Sequence, residues 1–229
     1  MKKILFSILI SSYLLVADAL PTSIKSAIKS VSNTSITLAS NIPKGMSGIV
    51  VHNYGNGLSA ITHTLVSQGG ASARVGAYRA TLHKNIPSIK TPVTVGDKVI
   101  FGNFYNNVLL IAPNQTAYKQ ITKKFQRTWV HPDAFALYFM QEGETSISMN
   151  NLESFSRKNQ VGLVLVVTAD ALLVIDPISK SVIGRTALKT NPNTAMTPFY
   201  ARFEQMDVSV FGMSEKNFTP YFKSVAGLK

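Results

Sequence analysis

Residues able to do chemistry are sparse in this sequence, and their spacing argues against most reactions they could support. There is no cysteine, which removes thiolate nucleophiles, disulfides and every Cys-containing zinc site. The four histidines, His52, His63, His83 and His131, show no i, i+4 pair and no neighbouring pair of carboxylates. His52 and His63 could face each other across a hairpin at Asn56-Gly57, yet two imidazoles leave a zinc site short of ligands. Gly55-x-Gly57 lacks the third glycine and following helix of a dinucleotide loop, so it reads as a turn. No strained nucleophile elbow is present, and no two acids sit in a setting that suggests glycoside cleavage. His131-Pro132-Asp133 reads as a helix start, with proline first and the acid near the positive end of the dipole. The expectation is a protein without catalysis, cofactor or metal.

Charge carries more. Lys+Arg number 23 against 11 Asp+Glu, a net charge of +12, in a chain that is 45% hydrophobic and only 15% charged. Such a composition folds and is not disordered. Beyond Lys2 and Lys3 the basic residues are scattered from Lys25 to Lys229 without a block of five, and the densest group is Lys119, Lys123, Lys124 and Arg127. Lys119, Lys123 and Arg127 recur at i, i+4 and i+8, so one helical face would be basic. That face is a candidate partner-binding surface; a merely solvated one is the alternative.

What the charge meets depends on compartment. Lys2 and Lys3, the apolar stretch Ile4 to Val16 and the small residues Ala17 and Ala19 form the three parts of a secretory signal over residues 1–19. The apolar stretch falls short of the ~20 residues a membrane-spanning helix needs. The expected mature protein begins at Leu20, is soluble and periplasmic, and has no transmembrane segment after signal cleavage. Outside the cytoplasm the acidic partners are envelope polymers, headgroups or proteins, and nucleic acid is not expected.

The elements that must position these residues read as α+β. From residue 20 to 112 short strands dominate: Thr34–Leu38, Gly48–His52, Leu58–Ser67, Ala71–Arg79, a strand from Val95 ending near Tyr105, and Val108–Ala112. Asn56-Gly57 and Gln68-Gly69-Gly70 are hairpin turns. This predicts a small antiparallel β-barrel or sandwich. From residue 113 to 229 a helix capped by Asn114 is followed by one starting at Pro132 and a third capped by Asn150 with Glu153. Val161–Val167 is an unbroken apolar run, the mark of a strand buried on both faces. Leu172–Ile175 and Ser181–Leu188 complete a three-stranded sheet, Phe199–Phe211 reads as a bent strand, and Thr219-Pro220 starts a short terminal helix.

Gly45-Met-Ser-Gly-Ile-Val-Val-His52, Leu109-Leu-Ile-Ala-Pro-Asn-Gln115 and Trp129-Val-His-Pro-Asp-Ala-Phe135 together resemble the N-terminal domain of bacterial plasminogen-binding proteins. The apolar run at Val161–Val167 and Leu172–Pro177 continues the likeness. The resemblance covers roughly Ser23 to Leu188, more weakly beyond, and implies no catalytic residues. In that family plasminogen capture is attributed to a terminal lysine after a long extension; here the resemblance points to Lys229. Two functions follow as expectations. One is a periplasmic scaffold docking on other envelope proteins in a larger assembly, such as the periplasmic scaffold of the flagellar motor. The alternative is a surface plasminogen-binding protein acting through Lys229. Glu215-Lys-Asn217-Phe-Thr219 also fits an acid-extended glycosylation sequon, making Asn217 a candidate modification site.

Overall fold

The structure is a computed structural model that describes residues 20–33, 35–78, 91–144, 147–188, 195–196, 199–203, 221, 225 and 227–228. Its first six strands close into an antiparallel barrel. They are β1 (Ile24–Ser32), β2 (Ser35–Leu38), β3 (Ser47–Gly55), β4 (Leu58–Gly69), β5 (Ser72–Ala77) and β6 (Lys98–Phe101), ordered β1-β2-β5-β4-β3-β6. Period-2 alternation sends Ile36, Leu38, Val50, Leu65, Val99 and Phe101 inward, where all are buried. The β3–β4 hairpin turns on Asn56 at φ 49° and Gly57 at φ 78°, the positive-φ pair that Asn-Gly supplies. The strand expected to end near Tyr105 stops at Phe101. Tyr105 instead sits in the following turn with its ring wholly buried.

The second sheet has five strands where three were expected. β7 (Asn107–Ile111), β8 (Thr128–Val130), β9 (Leu163–Val167), β10 (Ala171–Asp176) and β11 (Ser181–Ala187) run in the order β11-β10-β9-β7-β8. β7, which the sequence groups with the β-rich residues 20–112, pairs parallel with β9, Val108 opposite Leu163. Its apolar run suits any doubly buried strand, so sequence alone does not say which sheet takes it. β8, around Trp129, is a short edge that no periodicity announces. Gly162 brings β9 against the β6–β7 turn: a Cβ there would lie 2.2 Å from the Phe104 carbonyl carbon.

Among the described residues three helices are interleaved with the strands of this sheet, α1 (Gln115–Lys124) between β7 and β8, and α2 (Pro132–Gln141) and α3 (Met149–Asn159) between β8 and β9. The Asn114 side chain accepts from Ala117 N at 2.9 Å, and α2 starts at Pro132, as expected. α3 starts two residues earlier than the Asn150–Glu153 reading. Ser148 is its N-cap, paired reciprocally with Asn151, and Glu153 faces Arg157 and Lys180 instead. Asn151 fills the place that Glu or Gln takes in the usual capping box, its side-chain oxygen accepting from Ser148 N at 2.9 Å.

The second sheet divides two cores. Leu109 and Ile111, Val164 and Val166, Leu173 and Ile175 face α2 and α3, packing on Phe135, Phe139, Leu152 and Phe155. Val108 and Leu110, Leu163 and Leu165, Leu172 and Val174 face the barrel, packing with Leu38, Met46 and Phe101. Both clusters draw on alternate residues of the same three strands, so this sheet is their common wall. The chain end closes the helical side: Phe199, Tyr221, Val225 and Leu228 are buried there, with Tyr221 Oη donating to Val167 O at 2.6 Å. Residues 199–203 are not strand as expected, because Tyr200 N donates to Ala112 O at the end of β7. Residues 204–211 and Pro220 lie outside the described residues.

Candidate functional site

Three polar groupings stand out. The first is structural. Asp176, wholly buried where barrel meets sheet, accepts from Ser47 N at 2.7 Å and Tyr105 Oη at 2.6 Å on one oxygen. The other oxygen accepts from Ile178 N at 3.0 Å and Ser179 N at 2.9 Å. A carboxylate with that many donors is satisfied without a counter-cation. Burial and then the neighbouring Asp176 charge push the Tyr105 phenol far above its ordinary range, so it stays a donor. The sequence shows only an Asp-Pro turn here; nothing in it announces a joint between two sheets.

The second lies at the barrel end away from that joint. His52 Nδ1–H donates to Asp97 Oδ1 at 2.7 Å, and Asp97 Oδ2 accepts from Thr94 N at 2.9 Å. The Tyr54 ring meets His52 edge-on at 4.7 Å. His63 does not oppose His52, since the register sets Val50 across from His63 and Ala60 across from His52. Burial pulls the His63 ring below its ordinary value, with Asp97 opposing. Among the described residues no three His, Asp or Glu side chains converge as a metal site. The arrangement orients a histidine but supplies no nucleophile beside it.

The third joins α1, the start of α2 and residues 200–202. Tyr118, His131 and Tyr200 rings lie 5.4–6.3 Å apart. Asp133 holds Arg202 twice, from its main-chain N at 2.8 Å and its Nε at 2.7 Å. Burial raises the Asp133 carboxyl, but the Arg202 hydrogen bonds and the adjoining His131 outweigh it and leave the group below its ordinary value. His131 is lowered by burial, against the pull of Asp133. Its Nδ1 stands 3.2 Å from Asp133 N and 3.0 Å from Asp133 Oδ1. The neutral ring with its proton on Nε2 accepts from the former as helix cap; a ring that carries a proton on Nδ1 donates to the latter. This grouping ties the later chain to α2.

The residues singled out from sequence are not brought together. Lys119 and Lys123 are exposed on α1, but the helix ends at Lys124 and Phe125 is extended, so Arg127 leaves their stripe. Arg127 turns back to donate through Nη2 to Leu20 O at 3.1 Å and Pro21 O at 3.2 Å. Lys229 and Asn217 lie outside the described residues, as does the signal segment 1–19. The exposed lysines Lys25, Lys29, Lys44, Lys98, Lys119 and Lys123 have no acidic partner among the described residues. Sequence reasoning passed over Lys25 and Lys98, which flank a groove about 430 Å³ in volume on the barrel wall. The signal it could have used is the unalternating apolar run beside Lys98. No helix among the described residues is long and apolar enough to cross a membrane.

The family model described as plasminogen-binding protein pgbA N-terminal matches residues 23–226. Two curated relatives, each named plasminogen-binding protein PgbA, come from Helicobacter pylori strains 26695 and J99. Each is 25% identical over 173 residues, a match covering 73% of this chain and 38% of the relative. The match therefore spans well under half the relatives' length. No solved structure matches.

Proposed function

The chain belongs to the plasminogen-binding protein PgbA N-terminal family, and on that premise we propose that it is a non-enzymatic binding protein whose target is plasminogen. The family match carries this reading, and it favours it over a scaffold of the flagellar motor, to which the comparisons lend nothing. The surface chemistry fits. A pocket that recognises lysine holds the ammonium between acids and packs the methylene stem on aromatics. A lysine already paired on its own surface is a poor ligand for it. Lys119 and Lys123 on α1 are free of such pairing among the described residues, and a net charge of +12 adds long-range attraction. Lys229 stays a proposed contributor through its ammonium. We place the protein outside the cytoplasm, exported through residues 1–19, which N-terminal sequencing of the cellular protein tests.

The deciding experiment immobilises plasminogen and titrates the purified chain with and without 6-aminohexanoic acid, a soluble lysine mimic. Saturable binding abolished by the mimic is expected, and deletion of Lys229 should weaken it. Absence of binding, or binding untouched by saturating mimic, overturns the lysine-based reading.

A further inference from the structure

We propose that the outer wall of β1, β6 and β3 is a docking groove for an acidic partner segment that also carries aliphatic side chains. The register builds it. Lys25 lies across from Ile100, and Ile100 from Ile49; one rung along, Ala27 lies across from Lys98, and Lys98 from Val51. Because successive side chains alternate, Val50, Val99 and Phe101 fill the barrel while Ile49, Val51 and Ile100 point outward. These three are half-buried and belong to neither core cluster. A groove at this wall is lined by Lys25, Ser26, Val51, Lys98, Val99 and Ile100, and Ile49 lies outside its lining.

An antiparallel wall facing water ordinarily alternates, with polar residues outside. Ile49-Val50-Val51 and Val99-Ile100-Phe101 do not alternate, and the outward members stay partly exposed and join neither core cluster among the described residues. A contiguous aliphatic strip of this kind, rimmed by charge, marks an interaction surface. The charge selects the occupant. Lys25 and Lys98 are both exposed, stand on neighbouring rungs and have no acidic partner among the described residues. Asp97, next in sequence, is committed to His52 and Thr94. A second copy of this chain would bring the same two lysines to the same strip and be repelled. Carboxylates from a partner would pair with the lysine heads while its aliphatic groups cover Val51 and Ile100. This goes beyond the plasminogen reading: there the partner's acids read lysine one at a time, whereas here the aliphatic floor is half of the recognition.

The probe is a fluorescein-labelled peptide with glutamate at every third position and valine and isoleucine between, titrated into the purified chain by anisotropy. Saturable binding is expected, weakened at least tenfold by K25E/K98E and at least threefold by V51S. K119E/K123E should leave it unchanged, as should 6-aminohexanoic acid, which separates this result from that of plasminogen capture. K25Q/K98Q supplies a milder loss if the reversal unfolds, which a thermal melt reports. Equal binding by a peptide with serine in place of valine and isoleucine overturns the aliphatic floor. Absent binding, or full affinity in K25E/K98E, overturns the groove. A dimer in sedimentation velocity that V51S dissolves would assign the strip to a second copy and overturn the acidic partner.

Discussion

Leu163–Val167 in β9 and the runs Ile49–Val51 in β3 and Val99–Phe101 in β6 are alike in sequence: apolar residues without polar alternation. In β9 every one is buried, because helices cover one face and the barrel covers the other. In β3 and β6 the inward members are equally buried, but the outward ones stay partly exposed and join neither core cluster among the described residues. The pattern states that a strand expects cover on both faces; it does not state where the cover comes from. In the central sheet it comes from the same chain. On the barrel wall it is left to another molecule.

The joint between the two regions is the place to break the comparison hardest. Asp176→Ala leaves Ser47 N and Tyr105 Oη buried without their acceptor. At about 1–3 kcal/mol for each orphaned donor, the loss should be on the order of 4 kcal/mol. Urea denaturation followed by Trp129 fluorescence and circular dichroism checks it, and a loss below ~1 kcal/mol would mean water replaces the carboxylate.

Paired truncations sharpen it next. Leu165→Ala, on the barrel-facing side of β9, should cost about 2–5 kcal/mol through lost burial and a cavity. Ile100→Ala removes a side chain of similar size from the outer wall of the barrel and should cost less, since Ile100 stays partly exposed and belongs to neither core cluster. Equal losses would mean the wall is covered after all.

Much of the fold was legible because local chemistry decides it. Asn56-Gly57 tolerates the positive φ that a tight hairpin needs, Pro132 opens a helix, and Val161–Val167 is too apolar for a surface. The failures share a cause: each needed knowledge of a residue distant in sequence. β7 reads as a barrel strand until its parallel partner, some fifty residues on, is known. Tyr105 reads as a strand end until Asp176 is placed beside its hydroxyl. Arg127 completes an i, i+4, i+8 series on paper, but its guanidinium finds the carbonyls of Leu20 and Pro21 and α1 stops short of it. The candidate site was the least legible, for a binding surface is defined by what does not cover it.

Smaller effects test the helical side. Ser148→Ala removes an N-cap side chain that accepts from Asn151 N and should cost about 0.5–2 kcal/mol. Thermal melts would show it, and no change would mean the Asn151 half of the box suffices. Acidification reaches both regions. His63 in the barrel and His131 before α2 are held below their ordinary 6.5 by burial, so the fold prefers them neutral. Their contribution is complete above pH 6.5 and falls as the pH drops below it, because the unfolded chain binds those protons first. Denaturation midpoints measured at pH 7.5 and 5.5 should decline toward the lower value. H63Q should flatten the decline more than H131Q, since a protonated His131 can exchange its cap for the Asp133 carboxylate 3.0 Å away.

The smallest stability effect belongs to α1, and it decides which basic surface serves which partner. Lys119 and Lys123 are exposed with no acid paired to them among the described residues, so K119E/K123E should shift stability by no more than ~0.5 kcal/mol. Lys123 sits in the last turn, where a cation favours the helix dipole, and its reversal should take the larger part of that small change. R127E is a different experiment. It removes hydrogen bonds to the Leu20 and Pro21 carbonyls and places a carboxylate against them, so it should destabilise more than the double reversal. Plasminogen capture by K119E/K123E then reads the α1 face free of any folding defect. If capture falls while the acidic aliphatic peptide still binds the barrel wall, helix and barrel carry separate recognition. If capture is unchanged, α1 is a solvated face, and the plasminogen contact must be sought among the other lysines, Lys25, Lys29, Lys44, Lys98 and Lys229 included.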